Sequence, residues 1–107
     1  MKMVLAIINS DDANTVVTNL TKSGFSVTKL ATTGGFLRTG NTTILVGVEN
    51  DLLENVLEII NKHSHKRKQT IPSTSDFGIG MIPAVPVEVS VGGATIFVMD
   101  VERFEKI

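Results

Sequence analysis

Apolar residues run unbroken from Met3 to Ile8 and give way at once to Asn9-Ser10-Asp11-Asp12. A short apolar run ended by polar residues predicts a central strand. Ser10 or Asp11 then caps a helix, with Asp12 favourable near its positive end. Ala13, Val16, Val17 and Leu20 fall at i, i+3, i+4 and i+7, one face of that helix, and Gly24 stands where it stops. Phe25 to Ala31 reads as a second strand and Thr42 to Glu49 as a third, joined by a glycine-rich connection longer than a hairpin needs. Asn50 or Asp51 opens a second helix with an apolar stripe of Leu52, Leu53, Val56, Leu57 and Ile60, and Asp51 with Glu54 resembles a capping box.

From His63 to Val85 the periodicity dissolves around Pro72, Gly78, Gly80 and Pro83. Structureless loops beyond about 12–15 residues are uncommon in compact domains unless functional or mobile. Val85, Val87, Val89 and Val91 then alternate with Pro86, Glu88 and Ser90 as a half-buried strand, and Gly92-Gly93 is a two-residue hairpin signal. Ala94 to Val101 is the returning strand, and Glu102 to Ile107 forms a tail. The order predicts an α+β fold, a ferredoxin-like βαββαβ antiparallel sheet with both helices on one face, plus a β-hairpin extension before the last strand. The uncovered face of such a sheet should be polar. Here Met3, Leu5 and Ile7 alternate with Val4, Ala6 and Ile8, and Phe97 and Met99 with Ile96 and Val98, so both faces are apolar. Two helices cover one face only, and a second copy of the chain is expected on the other.

Composition narrows the class. The 107 residues amount to one domain, 1–107, and 42% hydrophobic content is ordinary for a globular chain. Ten Lys plus Arg against eleven Asp plus Glu leave a net charge of −1, which argues against general nucleic-acid or membrane binding but not against one small anion held locally. With no Cys, disulfides and thiolate metal sites are excluded, and a reducing compartment fits. The N-terminal apolar run is shorter than a secretory h-region, and no stretch approaches the ~20 residues of a membrane span. The expectation is a soluble cytoplasmic protein.

The candidate chemistry lies in Lys29-Leu30-Ala31-Thr32-Thr33-Gly34-Gly35-Phe36-Leu37-Arg38-Thr39-Gly40-Asn41-Thr42-Thr43. Gly34, Gly35 and Gly40 can turn backbone N–H groups toward an anion, Arg38 and Asn41 flank the tip, and Phe36 and Leu37 have no evident core to fill. A phosphate and nucleobase cradle fits, as does a surface loop whose Phe36 packs back on the sheet. This is neither a G-x-G-x-x-G fingerprint nor a P-loop. Gly47, in an otherwise β-branched strand, leaves room for a close-approaching ligand, or marks a bulge or tight packing. Lys66-Arg67-Lys68 could attract phosphate, but reads rather as a solvated face that also suits the negative end of the second helix. His63 and His65 are too few for a metal site, and no nucleophile has an activating partner, so neither a metal nor catalysis is expected.

The run Lys-Leu-Ala-Thr-Thr-Gly-Gly-Phe-Leu-Arg, the Gly-Asn-Thr-Thr after it and the later Val-Gly-Gly-Ala-Thr resemble, over the whole chain, the cyclic di-AMP receptor family of PII-like signal proteins of Gram-positive bacteria. The resemblance implies a homotrimer with cyclic di-AMP held in clefts between subunits, no catalysis, and ligand-dependent ordering of loops 32–41 and 66–84 that presents a surface to a protein partner. It places Gly47 against an adenine, Thr28 on the nucleotide, and Asn41, Phe36 and Leu37 on the bases. Gly35 and Arg38 belong to the same loop, and Phe97 is implied more weakly. Two positions depart. Ser26 stands where some relatives carry arginine, and Lys106 where some carry a phosphate-contacting glutamine, although lysine also serves as a point charge. Rival readings are a PII-like sensor of ATP or ADP, an RNA-binding ferredoxin-like domain, and an enzyme on the same fold.

Overall fold

Strand β1 (Lys2–Asn9) occupies the middle of the molecule because its alternate residues are all apolar and can be buried on either side. A computed structural model describes residues 1–30, 40–72 and 86–107. Helix α1 (Ser10–Lys22) follows β1 directly, then β2 (Val27–Lys29), β3 (Asn41–Val48), a 3-10 turn at Asn50–Leu52, α2 (Leu53–Ser64), β4 (Arg67–Pro72), β5 (Pro86–Val91) and β6 (Ala94–Asp100). The main sheet has the order β2-β3-β1-β6 with every neighbouring pair antiparallel. This is the ferredoxin-like arrangement that the order of elements predicts.

Register decides which residues meet the helices. Val4, Ala6 and Ile8 of β1 lie opposite Val46, Ile44 and Thr42 of β3 and opposite Val98, Ile96 and Ala94 of β6. On this face Val4, Ala6, Ile8, Ile44 and Val46 are fully buried, packed with Val16 and Leu20 of α1 and Val56 and Ile60 of α2. The stripes at 13/16/20 and 56/60 are thus the helix faces that meet the sheet. Leu52, expected in the second stripe, is exposed instead, because it ends the 3-10 turn ahead of α2.

The helix ends differ in detail from the expected caps. Asn9 caps α1, its side chain accepting from the Asp11 N–H at 2.9 Å, while Ser10 is already helical and pairs its hydroxyl with that of Thr42 at 3.0 Å. At the other end the Phe25 N–H donates to the Leu20 carbonyl and the Gly24 N–H to that of Thr21, each at 3.0 Å, with Gly24 at φ +92°. These two bonds form a Schellman motif, which needs the positive φ that glycine takes without strain. The Asp51–Glu54 capping box is not formed, since the 3-10 turn carries the chain into α2 and Leu52 is the cap.

The larger correction concerns β5. It pairs with β4, Arg67 opposite Val91 through Pro72 opposite Pro86, in a separate two-stranded sheet. Gly92-Gly93 therefore does not close a hairpin between β5 and β6. Both glycines have positive φ, as a tight hairpin turn would require. The Gly93 N–H nevertheless donates to the Ser64 carbonyl, and the chain turns from one sheet into the other because β6 is claimed by β1. The start of the expected 66–84 loop is likewise strand β4; its remainder from 73 to 84 lies outside the described residues.

Lys2 and Asp100 face each other at the paired ends of β1 and β6 and form an ion pair. The hydrogen bond from Lys2, and then its charge, lowers the Asp100 carboxyl below the ordinary carboxylate value. A group with a depressed folded-state pKa adds stability above its unfolded pKa of about 3.9, and that contribution fades as pH falls through the folded value. Asp100 should accordingly titrate by NMR below the ordinary carboxylate value, and Lys2→Ala should move its midpoint up toward that value. An unmoved midpoint would show the pair to be absent in solution.

Candidate functional site

Among the described residues nothing covers the face of the sheet turned away from the helices. Thr28, Leu45, Leu5 and Phe97 form a row across all four strands, and Gly47, Met3 and Met99 form the next. Phe97 is 53% exposed and Met99 43%. A contiguous apolar sheet face of this kind marks an interaction surface.

At one end of this face a cavity of about 300 Å³ is lined by Met1, Met3, Ser26, Thr28, Leu45, Gly47, Val101 and Phe104. Three of the residues singled out from the sequence, Ser26, Thr28 and Gly47, therefore come together. The ladder runs unbroken through Gly47 opposite Met3, so no bulge is present, and a Cβ built there meets nothing within 4 Å. Among the described residues, then, nothing packs tightly against it. A strand-centre glycine costs roughly 0.5–1 kcal/mol relative to alanine, and no contact among the described residues requires it. The lining combines apolar side chains with two hydroxyls and has no ionisable side chain, which suits a flat, largely apolar group with a hydrogen-bonding edge. It supplies no base to activate a hydroxyl.

Asn41, exposed at the start of β3, lies elsewhere. It shares the open face with Gly47, but six residues along an extended strand separate them by about 20 Å. It lines a second hollow of about 340 Å³ with Ile7, Lys66, Gly92, Gly93, Ala94 and Thr95. Phe97 stands on the open face beside Leu5 and outside both linings, and Lys106 is exposed in the tail beyond Phe104. Gly35, Phe36, Leu37 and Arg38 lie outside the described residues.

Phe104 and Val101 line the first cavity without having been singled out from the sequence. Both follow the last strand, where no periodicity marks a contact. Arg67, expected on a solvated face with Lys66 and Lys68, is instead held against α1 by the nearly buried Asp12. It forms an ion pair with Asp12 at 2.8 Å, and the hydrogen bond to Asp12, with the charges of Asp12 and Asp11, raises its pKa further above the ordinary guanidinium value. The available signal was Asp12 itself, a carboxylate four residues before Val16 on the helix face that packs on the sheet. Among the described residues no group of three His, Asp or Glu converges as a metal site, and no helix is long and apolar enough to cross a membrane. The middle strands of the open face carry aliphatic residues where RNA-binding sheets of this topology place stacking aromatics.

Fold and cavity together define a small α+β binding domain whose open sheet face carries an apolar, hydroxyl-edged recess. The chain belongs to the cyclic di-AMP receptor family: the family described as Cyclic-di-AMP receptor matches residues 1–107, the whole chain. It is also similar to a solved structure described as a functionally unknown protein from Pediococcus pentosaceus ATCC 25745, with 40% identity over 99% of this chain and 96% of that one, at a TM-score of 0.78. Membership points to a binding and signalling role rather than catalysis.

Proposed function

We propose that this protein is a PII-like signal transduction protein that binds cyclic di-AMP at the subunit interfaces of a homotrimer and passes the bound state to a protein partner. The observation that carries the reading is Gly47, a glycine mid-strand with open space above it, in a chain that matches a cyclic di-AMP receptor family from end to end. The cavity beside it accepts an adenine, with Thr28 and Ser26 at its polar edge. Asn41, Phe36 and Leu37 contribute base contacts across the subunit interface, Gly35 and Arg38 belong to the same ligand-binding loop, Phe97 reaches from the open face, and Lys106 offers a charge to a phosphate.

The size of the recess supports a shared site. At about 300 Å³ it lies at the lower limit of small-molecule pockets, roughly 300–1,000 Å³. A two-nucleotide ligand needs further walls, and a neighbouring subunit docked on the apolar face would supply them. Cytoplasmic residence follows from the second messenger's own compartment.

Isothermal titration with cyclic di-AMP, against ATP, ADP, cyclic AMP and cyclic di-GMP, tests the reading. Saturable heat with cyclic di-AMP alone, near one ligand per chain, is the expected result. Binding confined to ATP or ADP would move the assignment to an adenine mononucleotide sensor. No heat and no thermal shift with any of them would overturn nucleotide sensing while leaving the fold intact.

A further inference from the structure

Asp12 is anomalous on α1, since it is 7% exposed on the side that also buries Ala13, Val16 and Leu20. Its carboxylate is met by the guanidinium of Arg67 in a two-point contact, Nη2 donating to Oδ1 at 2.8 Å and Nη1 to Oδ2 at 3.2 Å. Arg67 Nη1 also donates to the His65 carbonyl at 3.2 Å. Bidentate pairs of this kind fix geometry as well as charge.

Gly92 closes over the pair. A Cβ at this position would lie 2.5 Å from Arg67 Nη1, 2.9 Å from the His65 carbonyl oxygen and 3.2 Å from Asp12 Oδ2, and its φ of +79° already disfavours other residues. Gly93 then bonds to the last turn of α2 through the Ser64 carbonyl, and the Ser64 hydroxyl donates to the Ile60 carbonyl. Both strands of the β4–β5 ribbon are thereby fastened to the helix layer at its base, one through Arg67 and the other through the Gly92-Gly93 that follows it. The ribbon has no ladder to the main sheet, which ends at β6. A two-stranded ribbon alone is marginally stable in water, so this fastening fixes where its base sits.

The fastened segment forms one wall of the hollow that Asn41 lines. Arg67 and Asp12 neutralise each other, the lining contains no carboxylate, and Lys66 has no anionic partner among the described residues. We propose that Asp12 and Arg67 are positioning residues for cyclic di-AMP: their ion pair, seated against Gly92, holds Lys66 and the Gly92-Gly93 backbone opposite Asn41, and this hollow receives, across the subunit interface, a phosphodiester of a ligand whose adenine lies in a neighbouring subunit's Gly47 recess. The assignment rests on the ligand reading above. Lys66 is the contacting cation, with the Thr95 hydroxyl as a further donor.

Three measurements on the full chain test it: cyclic di-AMP titration, the salt dependence of that affinity, and amide hydrogen exchange without ligand. Lys66→Ala should weaken binding about tenfold and flatten its salt dependence, as loss of a phosphate contact does, with ribbon exchange unchanged. The double variant Asp12→Asn/Arg67→Ala, which leaves no carboxylate unpaired, should weaken binding by about as much. It should also speed exchange across 67–71 and 87–91 in the ligand-free protein. Arg67→Lys keeps the charge without the fork and should stay defective. Wild-type affinity in Lys66→Ala, or wild-type exchange in the double variant, overturns the assignment. A wild-type chain that ignores cyclic di-AMP overturns the ligand reading itself, and the two failures are told apart by that first titration.

Discussion

Replacing Gly47 by valine is expected to leave the folded chain at least as stable as before while lowering its affinity for cyclic di-AMP by about 10- to 100-fold. The first half follows from the strand. Gly47 sits in a regular ladder opposite Met3, its φ is not in the left-handed region, and a Cβ meets nothing within 4 Å. Valine suits such a position, and removing a mid-strand glycine recovers about 0.5–1 kcal/mol. The second half follows from the recess, because valine's methyl groups occupy the floor on which the adenine is proposed to lie. Forcing extra methyl groups into a fitted contact costs about 1–3 kcal/mol, and each 1.4 kcal/mol is about tenfold in the dissociation constant. Titration paired with thermal unfolding of the same variant separates the two effects. Unchanged affinity would remove Gly47 from the site, and a lowered unfolding midpoint would make it a structural residue.

Leu5→Glu is expected to convert the assembly to monomers while preserving the secondary structure of each chain. Leu5 lies in the middle of the open face, opposite Leu45 on one side and Phe97 on the other, and points away from the buried layer of Val4 and Ala6. In an isolated chain the new carboxylate reaches water. Against a second subunit it would be buried without a partner, a loss several kcal/mol larger than the burial a leucine contributes. Sedimentation should show the wild type near the mass of three 11.5 kDa chains and the variant near one. The wild type should also unfold at a temperature that rises with concentration, a dependence the variant loses. A wild type that sediments as a monomer would refute the proposed trimer and require another cover for the face.

Much of the fold was legible because burial imposes its period on the sequence. Val4, Ala6 and Ile8 in β1, Val16 and Leu20 in α1, and Val56 and Ile60 in α2 are the positions that alternation and the 3.6-residue repeat pick out, and they are the core. The open face was legible too, since a strand apolar at every position needs a cover on both sides. Pairing partners were less legible. Gly92-Gly93 has the conformation of a tight hairpin, yet β5 joins β4, because a turn signal reports local dihedral angles and not which distant strand competes for the edge. Strand β4 was hidden since Arg67-Lys68-Gln69-Thr70 carries no apolar alternation, being held by its partner strand and by the Arg67–Asp12 and Lys68–Glu88 ion pairs.

At the candidate site, Ser26, Thr28 and Gly47 fall around one cavity, whereas Asn41 proves to lie at the far end of the same strand. Linear proximity to the glycine run could not reveal that separation. Phe104 was out of reach for a related reason: a residue in an irregular tail reaches the cavity through the fold, with no repeat to announce it.

The central strand also sets an order of events during synthesis. β1 is made before both of its partners, β3 on one side and β6 on the other, with Lys2 opposite Asp100. A chain emerging from the ribosome at about 5–20 residues per second must therefore keep an apolar strand edge unpaired until β6 is released. Open apolar edges invite pairing with foreign chains, so this interval is when the chain is most exposed to misassembly. The same long-range closure makes refolding slower than in helical domains of equal length.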